Sequence, residues 1–235
     1  MKGAQLALEV QLSQVPAFDT FFPGPNEDIV VALREMAGNR SPIPAAWLYG
    51  AASAGKTHLL RSTVAAAGAG AAYSATAIEP AQLVTLVDVP LLALDDVDTA
   101  LDDEVRALAL LRLIDQRRQR LLPLLLAGSV APARLDAVSP DLRSRLEAMA
   151  LLGLKPLRES DRRELLRLHA QQRGLDLTDD VVAWLIGRLR RDAGTLIAAL
   201  DLIDRAALSA KRRATLPFVQ QVLGPVLQPQ LPLSH

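Results

Sequence analysis

The sequence has no cysteine, few aromatic residues, three histidines and no net charge. The absence of cysteine excludes disulfides, thiolate nucleophiles and cysteine-ligated metals. Because 26 basic residues balance 26 acidic ones, no overall positive field attracts a nucleic-acid backbone, although a local basic patch is compatible with this balance. No apolar stretch is long enough to cross a membrane, and we expect no membrane partner.

The rest of the composition is that of a globular protein, with half of the residues apolar and 22% charged. Since aromatics are scarce, the core must consist mainly of Leu, Val, Ile and Ala. The N-terminus has no basic segment followed by an apolar signal core, so we expect a cytoplasmic protein.

A phosphate-binding motif, G-x-x-x-x-G-K-[ST], follows an apolar run at 45–49 and precedes a helix-like run at 58–67. The motif is formed by Gly50, Ala51, Ala52, Ser53, Ala54, Gly55, Lys56 and Thr57. Its glycines allow successive amides to face phosphate oxygens, and the following helix adds its positive end. Lys56 is expected to reach the β- and γ-phosphates, and Thr57 to hold Mg²⁺. His58 is a further candidate for the nucleotide site, with helix packing as an equally good interpretation.

A second motif completes the magnesium site. The apolar run at 90–94 predicts a buried strand that ends in Asp95 and Asp96. Together with the phosphate-binding loop, this Walker B pattern predicts that Asp95 holds Mg²⁺ alongside Thr57. Asp96 stands where many ATPases carry a glutamate that orients the attacking water. Because a small displacement of a catalytic group can cost orders of magnitude in rate, the shorter side chain predicts weak intrinsic hydrolysis.

The order of elements predicts an α/β fold: a P-loop core whose parallel sheet is flanked by helices, followed by a small all-α lid. A helix at 102–120 leads to a third strand at 121–129, and a Ser-capped helix covers 139–146. Four further helices begin near Ser160, Thr178, Asp192 and Pro217. We therefore divide the chain into an extended tail (1–16), a nucleotide-binding domain (17–155), a lid (156–224) and a flexible tail (225–235).

These parts in this order resemble the AAA+ proteins, and in particular the DnaA group. Residues 18–26 resemble the opening box of that group, which lies beside the adenine; this implies that Gly24 and Asn26 contact the nucleotide. Asp95 and Asp96 resemble the double aspartate of its Walker B motif.

The resemblance also implies roles for two arginines. Residues 142–146 resemble the box that supplies an arginine finger to a neighbouring subunit, which implies this role for Arg145. Residues 189–196 resemble the segment that carries the sensor 2 arginine, which implies Arg191. Ser129 stands where a polar sensor 1 residue is usual, but after Ala127 and Gly128 the match is weak, and this too favours weak turnover.

At the N-terminus, residues 5–10 resemble the Gln-Leu-x-Leu peptide that docks on the bacterial sliding clamp, with Gln5, Leu6 and Leu8 as anchors. Glu9 and Val10 replace the usual Pro and Leu, which should weaken the contact. The lid is followed by a short segment rather than the helix-turn-helix domain with which an initiator reads DNA. Its Gln-Leu pair, within 228–233, is either a second clamp peptide or part of a Pro-rich flexible tail.

This layout resembles that of a regulator within the DnaA group. It implies a protein that binds ADP (or ATP) and Mg²⁺, docks on the clamp and thereby meets DNA. There it would stimulate ATP hydrolysis by the initiator DnaA and prevent re-initiation. Two alternatives stay open. One is an ATP-driven helicase loader or DNA-associated AAA+ ATPase, which turns over its own ATP and assembles with identical subunits as a ring on DNA. The other is a nucleotide-binding adaptor that stimulates no hydrolysis. Weak turnover disfavours the loader, whereas a working finger at Arg145 would exclude the adaptor.

Overall fold

The computed structural model describes residues 16–38, 44–136 and 138–227. Within these ranges the chain forms five β-strands and ten α-helices. The strands are β1 (Ala45–Tyr49), β2 (Gly70–Ser74), β3 (Leu91–Asp95), β4 (Leu124–Gly128) and β5 (Ala150–Gly153). The helices are α1 (Glu27–Ala37), α2 (Lys56–Ala67), α3 (Pro80–Leu83), α4 (Val97–Ala100), α5 (Glu104–Gln119), α6 (Pro140–Glu147), α7 (Glu159–Gln172), α8 (Asp179–Arg188), α9 (Ala193–Ala210) and α10 (Leu216–Leu227). The anchors Gln5, Leu6 and Leu8, and the segment 228–233, lie outside the described residues.

The five strands form one parallel sheet in the order β2-β3-β4-β1-β5. Strands β3 and β4 are buried along their whole length, as expected for parallel strands covered on both faces. Because the strands are parallel, their carboxyl ends meet at one edge. The loops after β1, β3 and β4 therefore come together there, which is the usual ligand edge of an open α/β sheet.

Aliphatic side chains cover both faces of the sheet, as the composition predicted. One cluster includes the buried Trp47, whose indole nitrogen donates to the Val130 carbonyl at 2.9 Å; the other joins α1 and α2 to the opposite face. A third apolar cluster lies among α7, α8, α9 and α10. The parallel α/β core and the helical lid are thus confirmed.

Local signals predicted several helix starts well. The Asp103 carboxylate caps α5 by accepting from the Val105 and Arg106 amides, and Ser139 caps α6 as predicted. Helices α1, α3 and α4 and strand β5 were not predicted. Helix α1 follows the opening box, and β5 is a four-residue edge strand. No helix in the described ranges is long and apolar enough to span a membrane.

Candidate nucleotide-binding site

The phosphate-binding motif forms the loop between β1 and α2. Ser53 and Gly55 both adopt left-handed backbone conformations, with φ of 59° and 95°. At Gly55 a side chain is also excluded by space, since a Cβ would lie 2.6 Å from the Phe21 ring. A loop with such turns directs backbone amides inward as an anion-binding nest, and the N-terminus of the twelve-residue α2 faces the same space.

Lys56 and Thr57 begin α2 at this loop. The Lys56 Nζ donates to the carbonyls of Gly50 at 2.9 Å and Ala51 at 3.1 Å. The Thr57 hydroxyl donates to Asp95 Oδ2 at 2.5 Å, across from α2 to the end of β3. A hydroxyl and a buried carboxylate are hard oxygen donors of the kind that Mg²⁺ prefers, so the residues present fit the predicted metal.

Asp96 follows Asp95 in a left-handed conformation, with φ of 53°. Its amide donates to Asp95 Oδ1 at 3.0 Å and so helps to orient the predicted metal ligand. Partial burial raises the pKa of the Asp96 carboxyl, repulsion from Asp95 and Asp98 raises it further, and Lys56 opposes both. The charges of the predicted phosphate and metal ligands Lys56 and Asp95 therefore act on the Asp96 carboxylate.

Ser129, the weak sensor 1 candidate, is held by a neighbouring helix. Asp98 Oδ2 accepts from the Ser129 amide at 2.8 Å and also from its hydroxyl. The Ser129 hydroxyl is therefore engaged with Asp98 at the end of β4.

The segment before α1 connects the core to the start of the lid. Gly24 has a φ of 51°, and a Cβ there would approach Leu157 at 2.8 Å. The buried Asn26 side chain donates to the Lys155 carbonyl at 3.1 Å and accepts from the Lys155 amide at 2.7 Å. Both residues thus fix the backbone of this segment, and a nucleotide contact at Gly24 or Asn26 stays a prediction.

His58 is occupied by the same N-terminal segment. Its Nε2 lies 3.0 Å from the Ala17 carbonyl oxygen and 3.3 Å from the Thr20 hydroxyl. The imidazole also contacts Phe21, with the ring centroids 5.7 Å apart. These contacts favour the packing interpretation of His58.

The lid meets the phosphate-binding loop at the start of α9. Arg191, the predicted sensor 2 residue, is exposed and precedes the Asp192 cap of this helix. Gly194, in the first turn, lies against the loop, because a Cβ there would be 3.5 Å from the Ser53 Cβ. The sequence pattern did not indicate that Gly194 contacts the phosphate-binding loop, because the packing of the lid decides which side of the first turn of α9 faces that loop. The role of Arg191 stays a prediction.

Arg145 lies on α6, away from these residues. It lines a cavity of about 340 Å³ together with Ala45, Leu124 and Ala150, the first residues of β1, β4 and β5. The phosphate-binding loop leaves the other end of β1, about 13 Å further along a five-residue strand. Arg145 therefore lies at the amino-terminal ends of the strands, and the chain's own phosphate-binding loop lies at their carboxyl ends.

Comparison with known proteins finds a family with a similar lid and solved structures with a similar fold. Residues 159–223 match the family described as Hda, lid domain. Domain III of the Thermotoga maritima replication initiation protein DnaA superposes with a TM-score of 0.77 and 19% identity, covering 92% of this chain and 98% of that one. AMPPCP-bound DnaA from Aquifex aeolicus gives 0.74 and 21%, covering 85% and 68%. The Thermotoga maritima RuvB Holliday junction branch migration motor gives 0.66 and 15%, covering 85% and 67%.

The chain therefore has the fold of the DnaA and RuvB structures on which it superposes. Within this fold, the helical lid at 159–223 is similar to the lid domain of the Hda family.

Proposed function

We propose that this protein is an ADP-bound regulator of replication initiation, which docks on the sliding clamp and stimulates hydrolysis of the ATP bound to DnaA. The observation that carries the proposal is the pairing of an Hda-like lid with a partly exposed Arg145 on the far edge of the sheet. An arginine at that edge is poorly situated for the chain's own nucleotide and well situated for one held by a neighbouring subunit.

In this proposal the chain's own site binds nucleotide without turning it over rapidly. The loop amides hold the phosphates, and Lys56 exchanges its bonds to the loop carbonyls for phosphate oxygens. Thr57 and Asp95 supply oxygen ligands to Mg²⁺, which would neutralise phosphate charge. The short Asp96 side chain and the engagement of Ser129 by Asp98 both favour weak hydrolysis. The similar DnaA structure from Aquifex aeolicus is bound to AMPPCP, which supports nucleotide binding by this chain.

The proposed activity toward the partner resides in Arg145. When water attacks the γ-phosphorus of the partner's ATP, the bond to the β–γ bridging oxygen breaks, and ADP and inorganic phosphate are formed. A guanidinium beside the transferred group neutralises charge that develops on its oxygens. Such a finger supplied in trans is worth about a thousandfold or more in rate.

Docking on the clamp would bring this arginine to its target. An extended peptide at 5–10 would present Gln5 for hydrogen bonding and insert Leu6 and Leu8 into apolar pockets. DNA would then be met mainly through the encircling clamp.

We also propose that the nucleotide-binding domain ends at residue 155 and the lid begins at residue 156. At this point the hydrogen bonds of Asn26 to Lys155 join the core to the segment leading into the lid.

The docking step is tested with a Gln5→Ala, Leu6→Ala, Leu8→Ala variant. We expect it to lose binding to the host's sliding clamp, and to lose clamp-dependent stimulation of DnaA, while ADP affinity is unchanged. Equal clamp binding by the variant and the unmodified protein would contradict the role of this peptide. Rapid ATP turnover by the unmodified protein alone would favour the helicase-loader alternative.

A further inference from the structure

We propose that Asp115 is a positioning residue for Arg145, holding the arginine in the orientation that a partner's nucleotide requires. The inference rests on the proposed function, because it concerns how the finger is presented. Arg145 and Asp115 are 30 positions apart and lie on different helices, α6 and α5. No sequence motif connects them.

The contact between these two residues uses the inner nitrogen of the guanidinium. Asp115 Oδ1 accepts from Arg145 Nε at 2.7 Å. Within the described parts of the chain, the two outer Nη atoms make no hydrogen bond. Since the guanidinium is planar and rigid, fixing Nε also fixes the direction of the two Nη groups. The carboxylate thus orients the side chain and leaves its outer N–H groups available for phosphate oxygens.

The cavity around Arg145 is suited to an anion held by a neighbouring subunit. Arg145, Arg117 and Arg118 line the same cavity, whose other walls include the apolar Ile114, Leu122 and Met149. Three guanidinium groups, one of them paired with the Asp115 carboxylate, give this site a net positive charge. The buried Arg117 already donates to backbone carbonyls. A phosphate chain presented by a neighbouring subunit has the complementary charge, and Arg145 and Arg118 can bind it through charge-assisted hydrogen bonds.

Asp115 has two opposing effects on the finger. Its negative charge weakens the positive potential at Arg145, whereas its hydrogen bond restricts the rotamers of a long side chain. Both side chains are 38% exposed, so water and salt screen the charge effect. Misplacement of a catalytic group by about 1 Å can cost about 100-fold in rate. The orienting effect is therefore the larger, and removal of Asp115 should lower the stimulation of DnaA rather than raise it.

The kinetic experiment measures single-turnover hydrolysis of ATP on DnaA, with the clamp on DNA and ADP-bound full-length protein. We expect Asp115→Ala to reduce the maximal rate by about 10- to 100-fold, with little change in the concentration that gives half-maximal stimulation. Asp115→Glu should restore part of the rate. The control is Asp179→Ala, which removes a similar exposed contact, to Arg167 at 2.6 Å, from the lid; it should behave like the unmodified protein.

A spectroscopic experiment tests the positioning directly in the isolated protein. The Arg145 Nε–H resonance, identified by its absence from an Arg145→Lys variant, should exchange slowly with water and become fast in Asp115→Ala. Unchanged exchange, or an Asp115→Ala variant that stimulates DnaA fully while Arg145→Ala does not, would overturn the inference and leave the proposed function intact. Full stimulation by Arg145→Ala would overturn both.

Discussion

Asp96 has a backbone conformation that few non-glycine residues adopt, and its carboxyl group is repelled by the charges of Asp95 and Asp98. Asparagine is tolerated in the left-handed region and carries no charge. The pKa of Asp96 is raised in the folded protein by burial first, and then by Asp95 and Asp98. A raised acid pKa means that ionised Asp96 destabilises the fold at pH values above that pKa, and that this penalty is absent below the unfolded value of about 3.9.

We therefore expect Asp96→Asn to raise the thermal unfolding midpoint near neutral pH in metal-free buffer. The advantage over the unmodified protein should shrink as the pH falls toward the ordinary range of an aspartate. Thermal unfolding of both proteins over a pH series measures this. A difference that is constant with pH would contradict the electrostatic account and leave only the backbone effect.

Gly194 gives a second expectation at the residue scale. Gly194 lies at the start of α9 against Ser53. Because glycine has no side chain, the lid contributes no cation to the phosphate site at this position. A Cβ at 3.5 Å from Ser53 makes an ordinary contact, and an arginine could be accommodated there. We expect Gly194→Arg to raise ATP affinity relative to ADP affinity by about tenfold, the equivalent of one charge-assisted hydrogen bond.

The matched control for this substitution is Gly187→Arg, at an exposed glycine of α8 that has no neighbour within 4 Å of an added Cβ. Calorimetric titration with both nucleotides gives the ratio of affinities. If Gly194→Arg leaves that ratio as it is in Gly187→Arg, the start of α9 does not face the phosphates as we infer.

At the scale of elements, one buried side chain joins the start of α1 to the core–lid connection. Asn26 makes two hydrogen bonds to the backbone of Lys155. Asn26→Ala leaves a backbone donor and a backbone acceptor without these partners, which should cost about 1–3 kcal/mol in the free energy of unfolding. Denaturant titration measures this loss. A cost near zero would mean that water replaces both bonds and that the connection does not depend on Asn26.

The elements also show which features a sequence can predict. The P-loop, the Walker B strand and the Ser139 cap of α6 were predictable because each depends on a few adjacent residues. Strand β5 was missed because the short apolar run at 148–152 directly follows α6, and such a run does not distinguish a strand from a continuing helix. The contacts of Gly194 with Ser53 and of Arg145 with Asp115 depend on tertiary packing across 141 and 30 positions respectively, so no local pattern indicates them.

At the scale of the whole molecule, the phosphate-binding loop lies between the sheet and the start of α9, so a bound nucleotide would contact both the core and the lid. A ligand that binds only the folded state stabilises it by mass action, by about 2.7 kcal/mol at 100 times its dissociation constant. For a protein of this length we expect ADP with Mg²⁺ to raise the unfolding midpoint by about 5–10 °C.

Lys56→Ala should remove most of this shift, whereas Arg188→Ala, an exposed substitution at the end of α8, should keep it. Scanning fluorimetry with and without nucleotide measures the difference. An equal shift in the Lys56→Ala protein would place the nucleotide away from the motif at 50–57.

The central claim is that Arg145 acts on ATP held by another protein. The most direct test is single-turnover hydrolysis of radiolabelled ATP preloaded on DnaA, with clamp on DNA and ADP-bound protein carrying Arg145→Ala or, as control, Arg188→Ala. We predict that Arg145→Ala abolishes stimulation while ADP affinity and clamp binding stay normal, and that the control retains full stimulation. Undiminished stimulation by Arg145→Ala would contradict the account.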